Sequence, residues 1–531
     1  MEFSGFGWTD WTLGVLLLML GLYTLGTWRF GHFKSRGVKY QKPLPFLGSM
    51  TRVAFNTQSF AYLIDNAYKE FPDEPFVGLF QFQTPVILVR DLELIKRITV
   101  KDFDHFTDHQ LFGVPPDDFA AKNLFTLTGE EWREMRNTLS PAFTSSKMKA
   151  MFVLMDECGQ QLGDYLQNEI NQQKAGEPYV LDLKDLFTRY TNDVIATAAF
   201  GVHIDSLKEK DNEFYLMGKQ ITNFTGIKSL IFLASMFIPK ILKLLGISIF
   251  SKQEKSFFLD LVHETISTRE KQGIVRPDMI HLLMQARRGE LKAEVGEEEV
   301  ISHGGHKLRK INLTEKDITA QALIFFVAGF DTASSLLSFA GILMAVHEDV
   351  QRKLQEEIDE ILGEDRQFSY EKVQKMKYLD MVISEALRFY PPAVITNREC
   401  TKDYTIPAGD KNPEYTIKKG EIVWIPVYGI QHDPKYYPNP EKFDPERFSE
   451  ENKNNIVPYT YLPFGVGPRL CIGQRFALLE AKLALIHILS RFNLVVVKKT
   501  PLPLKLDHRS FVMGVEGGFW VGVQPRRQIS T

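Results

Sequence analysis

Phe464-Gly465-Val466-Gly467-Pro468-Arg469-Leu470-Cys471-Ile472-Gly473 is the stretch on which the reading of this chain turns. Gly465, Gly467 and Pro468 make it a tight loop, and a helical pattern begins just after Cys471. A thiol at a helix N-terminus faces unpaired N–H groups and the positive end of the dipole, which favours its thiolate form. A thiolate in a protected apolar loop suits a soft metal centre. No second Cys or His stands at zinc-like spacing, which argues against a tetrahedral zinc site. A lone cysteine is ordinarily structural; the ten-residue pattern around this one reverses that reading.

Composition narrows the classes further. The chain has 531 residues, room for about three or four domains by length alone, although single enzymes of this size are common. Hydrophobic residues make up 44% and charged residues 24%, which excludes disorder. Lys plus Arg is 63 against 66 for Asp plus Glu, a net charge of −3, so the chain is not built to hold a polyanion and nucleic acid is not an expected partner. Three cysteines, Cys158, Cys400 and Cys471, give no disulfide framework and suit a reducing compartment. Forty phenylalanines point to large apolar cores and pockets.

From Trp11 to Trp28 there is no charged residue. Extended back to Trp8 across Asp10, the stretch is ~20 residues, enough to cross a hydrocarbon core. Tryptophans flank it like interfacial belts. Arg29, His32, Lys34, Arg36, Lys39 and Lys42 follow it, whereas only Glu2 and Asp10 precede, so the positive-inside rule puts the rest of the chain on the cytoplasmic side. A cleaved signal peptide would have a shorter apolar region, its positive charges first and a small-residue cleavage site; this segment departs on all three counts. Residues 1–28 therefore predict a transmembrane anchor, 29–50 a basic, Pro-rich linker, and 51–531 the catalytic body. Pro43 and Pro45 predict an extended, stiff exit from the membrane helix.

No internal repeat or low-complexity tract is evident in the body. Residues 58–105 mix a helix with β-rich runs such as Pro85-Val86-Ile87-Leu88-Val89, and 145–285 carry helical periodicity. Within the latter, Ser229 to Phe250 suits either surface helices dipping into lipid headgroups or a buried core helix. Residues 286–312 read as an exposed loop. Past 390 β-rich runs alternate with turns until a long helix near 474–491. Helix dominates, with a minor sheet component.

Three further stretches carry chemistry. Ala328-Gly329-Phe330-Asp331-Thr332 lies in a run from Ile318 to Val346 whose only charge is Asp331. A helix of ~29 residues spans ~44 Å, so a second membrane span is a rival reading; a mid-span acid is costly in lipid and the flanking charges give no topology signal, which favours a central core helix. Small residues at 328 and 329 let a flat ligand approach, and Asp331 and Thr332 offer a proton relay. Glu385 and Arg388 stand at i and i+3 and can pair on one helix face, as can Trp132 and Arg136 at i and i+4.

The ten-residue loop matches the haem-ligating pattern F-x-x-G-x-R-x-C-x-G at every fixed position, and the chain resembles the cytochrome P-450 family of haem-thiolate monooxygenases. The resemblance implies that family's mainly α fold with a small β region, here behind an N-terminal transmembrane helix. It implies Cys471 as axial ligand to the iron of haem b (iron protoporphyrin IX), a thiolate that pushes electron density onto the metal. Phe464, Arg469 and Gly473 would contact the cofactor, Arg469 at a propionate. The W-x-x-x-R helix implies the same for Trp132 and Arg136, and position adds Arg398. Asp331-Thr332 matches the oxygen-activating motif; Ala333 stands where a second hydroxyl often follows, leaving Thr332 alone there. Glu385 and Arg388, with Arg447 of Pro445-Glu446-Arg447-Phe448, would form a buried structural charge network.

The implied function is a monooxygenase in the endoplasmic reticulum membrane, facing the cytosol. It would take electrons from NADPH through NADPH–haemoprotein reductase, because no flavin or nicotinamide fingerprint is evident here. Arg133, Lys147, Lys149 and Arg475 are candidates for a basic docking patch, and cytochrome b5 is a further possible electron partner. The substrate beside O2 would be an apolar small molecule, and candidate pocket residues are Phe112, Phe119, Phe330, Val394, Ile395 and Phe511. In character the chain resembles insect microsomal members that oxidise xenobiotics such as plant toxins and insecticides. A haem-thiolate isomerase or dehydratase would keep Cys471 but lack the acid–alcohol pair; a non-enzymatic haem-binding sensor would need a regulatory domain that is not evident.

Overall fold

Strand-forming runs in this chain are short, three to six residues each, so helix outweighs strand 55% to 10%, as the periodicities predict. The computed structural model describes residues 8–110, 118–174, 176–223, 226–237, 239–291, 313–364, 366–409, 414–509 and 512–526. Phe112, Phe511 and positions 292–312 of the expected loop lie outside the described residues. The fold divides into two compact units.

The first unit comprises Met1–Thr107, Val394–Ile430 and Pro458–Thr460. Its core is a four-stranded sheet in the order Phe76–Gln81, Thr84–Val89, Ile422–Ile425, Thr396–Glu399. The two outer pairings are antiparallel and the central one is parallel. The Val/Ile-rich run at 85–89 thus becomes a strand, buried from Val86 onward. The helix Trp8–Thr27 leads into this unit with its apolar side chains from Trp11 to Leu25 exposed; its 20 residues make about 30 Å, the thickness of a bilayer core.

The segment after that helix is not the extended exit expected from Pro43 and Pro45. Leu44 and Gly48 exchange backbone hydrogen bonds of 3.0 and 2.8 Å, closing a turn, and Ser49 N–H donates to Phe80 O of the sheet. Gly48 makes this possible: its φ is +59°, and a Cβ there would lie 2.1 Å from Phe82 O and 2.4 Å from Phe80 O. Phe46 N–H donates to Gly26 O, Trp28 Nε1 to Gln83 Oε1, and Arg36 pairs with Glu421 at 2.9 Å. Two prolines restrict φ but cannot keep a chain straight when a glycine beside them opens a left-handed turn.

The second unit comprises Asp108–Ala393, Gln431–Val457 and Tyr461–Thr531. Its axis is the helix Glu315–Val346, started by a capping box between Thr314 and Asp317. This helix is long and apolar enough to cross a membrane, yet most of its apolar stretch is buried within the protein. Leu183–Ile195 lies against it, and Gly341 provides the space: a Cβ there would sit 2.7 Å from Leu183 Cδ1. The helix Gln474–Leu489, which follows the cysteine loop, packs against Ser145–Asn171 and against the central helix. A three-stranded antiparallel sheet, with Trp520–Pro525 between Tyr179–Asp182 and Phe492–Val495, completes the unit.

Phe326 of the central helix is fully buried, and the ring centroids of Phe214, Phe258 and Phe330 each lie 5.3 Å from its own. Phe326→Ala is therefore expected to lower stability by about 3–5 kcal/mol, read as a fall in the denaturant midpoint. A loss under about 1 kcal/mol would contradict the packing described.

Candidate functional site

The cysteine loop is shaped by its own backbone. Gly465 and Gly467 both adopt φ of 75°. Gly465 N–H donates to Leu462 O at 3.0 Å, Leu470 N–H to Gly467 O at 2.9 Å, and Cys471 N–H to Phe464 O at 2.9 Å. The helix begins at Gln474 with Gly473 as its N-cap. Cys471 keeps an exposed surface although protein crowds it from behind. That burial pushes its thiol up, while the Gly473 N–H and the Arg136 guanidinium act in the opposite sense.

Arg136 and Trp132 lie on one face of the helix Gly129–Leu139. Burial holds the Arg136 guanidinium down to about 10, and Cys471 is the neighbour that opposes the shift. Trp132 is buried, and the Arg469 guanidinium lies over its ring with Cζ 3.9 Å from the centroid. Arg469 also donates to Leu124 O at 3.3 Å and Leu127 O at 2.9 Å, with Asp108 at 3.8 Å. Cysteine, tryptophan and two arginines from distant sequence positions are thus brought to one place.

The predicted charge network assembles behind the loop. Glu385 and Arg388 are fully buried and share two hydrogen bonds, 2.7 and 2.8 Å. Arg388 also donates to Gln431 O and Pro440 O, and Asp444 N–H donates to Glu385 Oε1. Arg447 stands 3.5 Å from the same carboxylate. Burial pushes the Glu385 carboxyl up despite Arg388 beside it. Gln431 donates to Leu387 O and Arg388 O and accepts from Leu462 N–H at 2.9 Å, tying the network to the root of the cysteine loop.

On the central helix the acid and the alcohol are handled differently. Lys184 Nζ meets Asp331 Oδ1 at 2.5 Å and also reaches the hydroxyls of Ser334 and Ser335, each at 2.8 Å. Thr332 is exposed and donates its hydroxyl back to Ala328 O. The sequence reading made Thr332 the sole hydroxyl at this spot; two serines in fact gather about Asp331 through Lys184.

Phe330 is buried, its ring centroid 5.3 Å from that of Phe326 in the aromatic cluster. Phe119 is half-buried on a short turn of 3-10 helix. Arg398, Val394 and Ile395 belong to the first unit; Arg398 is fully buried in its strand, donates to Thr396 Oγ1 and Asn397 O, and is lowered to about 10 by burial. Of the basic patch, Arg133 pairs with Glu130, Lys149 with Glu371, and Arg475 donates to Phe143 O. Sequence reasoning missed Lys184, Gln431 and Gln321. Only Gln321 left a signal, as an uncharged polar residue inside the apolar run.

A haem fits these residues. The Arg136 guanidinium, crowded by protein with Cys471 as its charged neighbour, and the buried Arg469, stacked on Trp132 with Asp108 at 3.8 Å, supply cationic donors at the place of a single thiol. Buried positive charge of that kind calls for an anionic partner, which porphyrin carboxylates supply, and the thiol is the soft donor iron takes.

The family described as Cytochrome P450 matches residues 38–520 of this chain. Cytochrome P450 9e2 of Blattella germanica is 51% identical over 528 residues, 97% of this chain and 98% of that protein. Cytochrome P450 9b2 of Drosophila melanogaster is 37% identical over 515 residues, 96% of this chain and 98% of its own. Cytochrome P450 6k1 of Blattella germanica is 37% identical over 504 residues, 94% of each.

Glu385→Ala would strand the Arg388 guanidinium without its carboxylate in a fully buried site, an expected loss of about 3–5 kcal/mol in chemical denaturation. Replacing both residues with apolar ones of similar volume should recover much of that loss. A single-variant loss below about 1 kcal/mol would contradict the buried network.

Proposed function

The chain belongs to the cytochrome P450 family and is a monooxygenase, and from that premise we propose that it is a membrane-bound enzyme acting on apolar small molecules with electrons from NADPH. One oxygen atom of O2 enters a C–H bond of the substrate; the other leaves as water with two electrons from NADPH and two protons. The observation that carries the reading is the Cys471 thiol in the field of Arg136 with Arg469 stacked on Trp132 beside it. Haem b would be held there by Cys471 through its sulfur and would supply the redox and oxygen-activating chemistry.

The chain's own residues then have separable tasks. Arg136, Arg469 and Trp132 bind the carboxylate edge of the cofactor. Phe464 and Gly473 close the loop around the thiolate. Lys184 orients the Asp331 carboxylate, and Thr332 Oγ1 holds the proton on the exposed face of the central helix. Glu385, Arg388 and Arg447 hold the scaffold beneath. An isomerase or dehydratase would have no use for the Asp331-Thr332 pair.

Residues 1–28 are proposed as the membrane anchor, 29–50 as the linker and 51–531 as the catalytic domain, on the cytosolic face of the endoplasmic reticulum. The exposed apolar helix Trp8–Thr27 and the basic residues after it support this. Leu230, Ile241, Leu244 and Leu245 are also exposed and suit a second, shallow contact with lipid. NADPH–haemoprotein reductase, with cytochrome b5 as an additional donor, is the proposed electron source, docking on Arg133, Lys147, Lys149 and Arg475. Xenobiotics such as plant toxins and insecticides are the proposed substrates, a reading supported by the likeness to insect relatives and by the chain's wealth of phenylalanine.

Reduced protein under carbon monoxide should show the strongly red-shifted Soret band of thiolate ligation, and Cys471→Ser should abolish it; an unshifted band in folded wild-type protein refutes the ligand. In Thr332→Ala, product formation should fall toward the ~10²-fold that a positioned proton donor is worth. NADPH consumption should fall less, the difference appearing as hydrogen peroxide. Unchanged product per NADPH would remove Thr332 from proton delivery.

A further inference from the structure

Gln321 sits on the central helix ten positions before Asp331, with none of its surface exposed. A buried amide is costly unless its donors and acceptor are satisfied. Gln321 uses most of that capacity on an irregular segment of another part of the chain. Its Oε1 accepts from Leu124 N–H at 2.8 Å and its Nε2 donates to Lys122 O at 2.7 Å, with a longer bond of 3.3 Å back to Asp317 O.

The same segment is gripped from the other side by Arg469, which donates to Leu124 O and Leu127 O. Leu124 is therefore held through its N–H by the central helix and through its C=O by the cysteine loop. Between the two grips the segment is stiffened by Asn123, whose Nδ2 donates to Ala120 O at 2.6 Å and whose Oδ1 accepts from Phe125 N–H at 2.9 Å. A stiff strut with one end fixed to each element transmits position between them; a slack one would not.

We infer that Gln321 is a positioning residue for the cofactor: through the Leu124 peptide it fixes where Arg469 presents its guanidinium, and so couples the central helix to the edge of the haem. The inference rests on the reading of Arg469 as a donor to the cofactor. Its signature is non-additivity, because a residue acting through Arg469 loses its effect once Arg469 is altered.

The test is a double-mutant cycle on the full-length holoenzyme, reading the rate of haem transfer to excess apomyoglobin at a temperature where every variant stays folded. Gln321→Leu should speed transfer about three- to tenfold, the worth of a buried hydrogen bond. Arg469→Lys, which loses the fork geometry, should also speed it. On the Arg469→Lys background, Gln321→Leu should then change the rate by less than about twofold. Equal acceleration on both backgrounds would mean that Gln321 is only part of the packing, and the inference falls while the Arg469 reading stands. If Arg469→Lys alone leaves the rate unchanged, the Arg469 reading fails and takes the inference with it. Should Gln321→Leu not accumulate as holoenzyme, Gln321→Met serves in the same cycle, since it keeps similar volume and likewise loses the amide acceptor for Leu124 N–H.

Discussion

Glu385 and Arg388 share two short hydrogen bonds where water does not reach, and the placement of Cys471 follows from that pair. In a low-dielectric interior such bonds are directional and costly to break, even where they add little net stability. Arg388 fixes the Gln431 carbonyl; the Gln431 side chain fixes Leu462 N–H; Leu462 O accepts from Gly465, and the loop then closes with Cys471 N–H on Phe464 O. Each link is short and leaves little slack. The network thus works as a jig, setting where a thiol stands rather than how stable the chain is.

Electrostatics at the thiol is a contest between two effects. Burial disfavours the charged sulfur, while Arg136 and the Gly473 N–H favour it. A cationic metal, when bound, would add a further favourable contribution to the charged sulfur. Arg136 feels the same contest from the other side, lowered by burial and supported by Cys471. On the central helix, Lys184 ties Asp331 toward Leu183–Ile195 while Thr332 keeps an exposed face. Acid and alcohol are neighbours in sequence but are held by different partners.

How much of this could be read in advance depended on distance along the chain. The cysteine loop was legible because its glycines, proline, arginine and thiol act within ten residues, and the Glu385–Arg388 pair because i and i+3 share a helix face. Arg447 was placed by likeness to a motif rather than by any local rule. Lys184 and Gln431 were invisible, since Lys184 meets Asp331 across 147 residues and Gln431 meets its partners across 31 to 44, and nothing local distinguishes such a side chain. The Pro43–Gly48 segment was misread for the opposite reason. Its prolines gave a clear local signal for extension, but the glycine that folds the chain onto Phe80 and Phe82 acts only once the sheet is present.

The central claim is a bond between the Cys471 sulfur and porphyrin iron. X-ray absorption at the iron edge of the purified ferric enzyme tests it directly. One sulfur in the first coordination shell, absent in Cys471→His with haem still bound, is the predicted result. A shell of nitrogen and oxygen alone in the wild-type protein would contradict it.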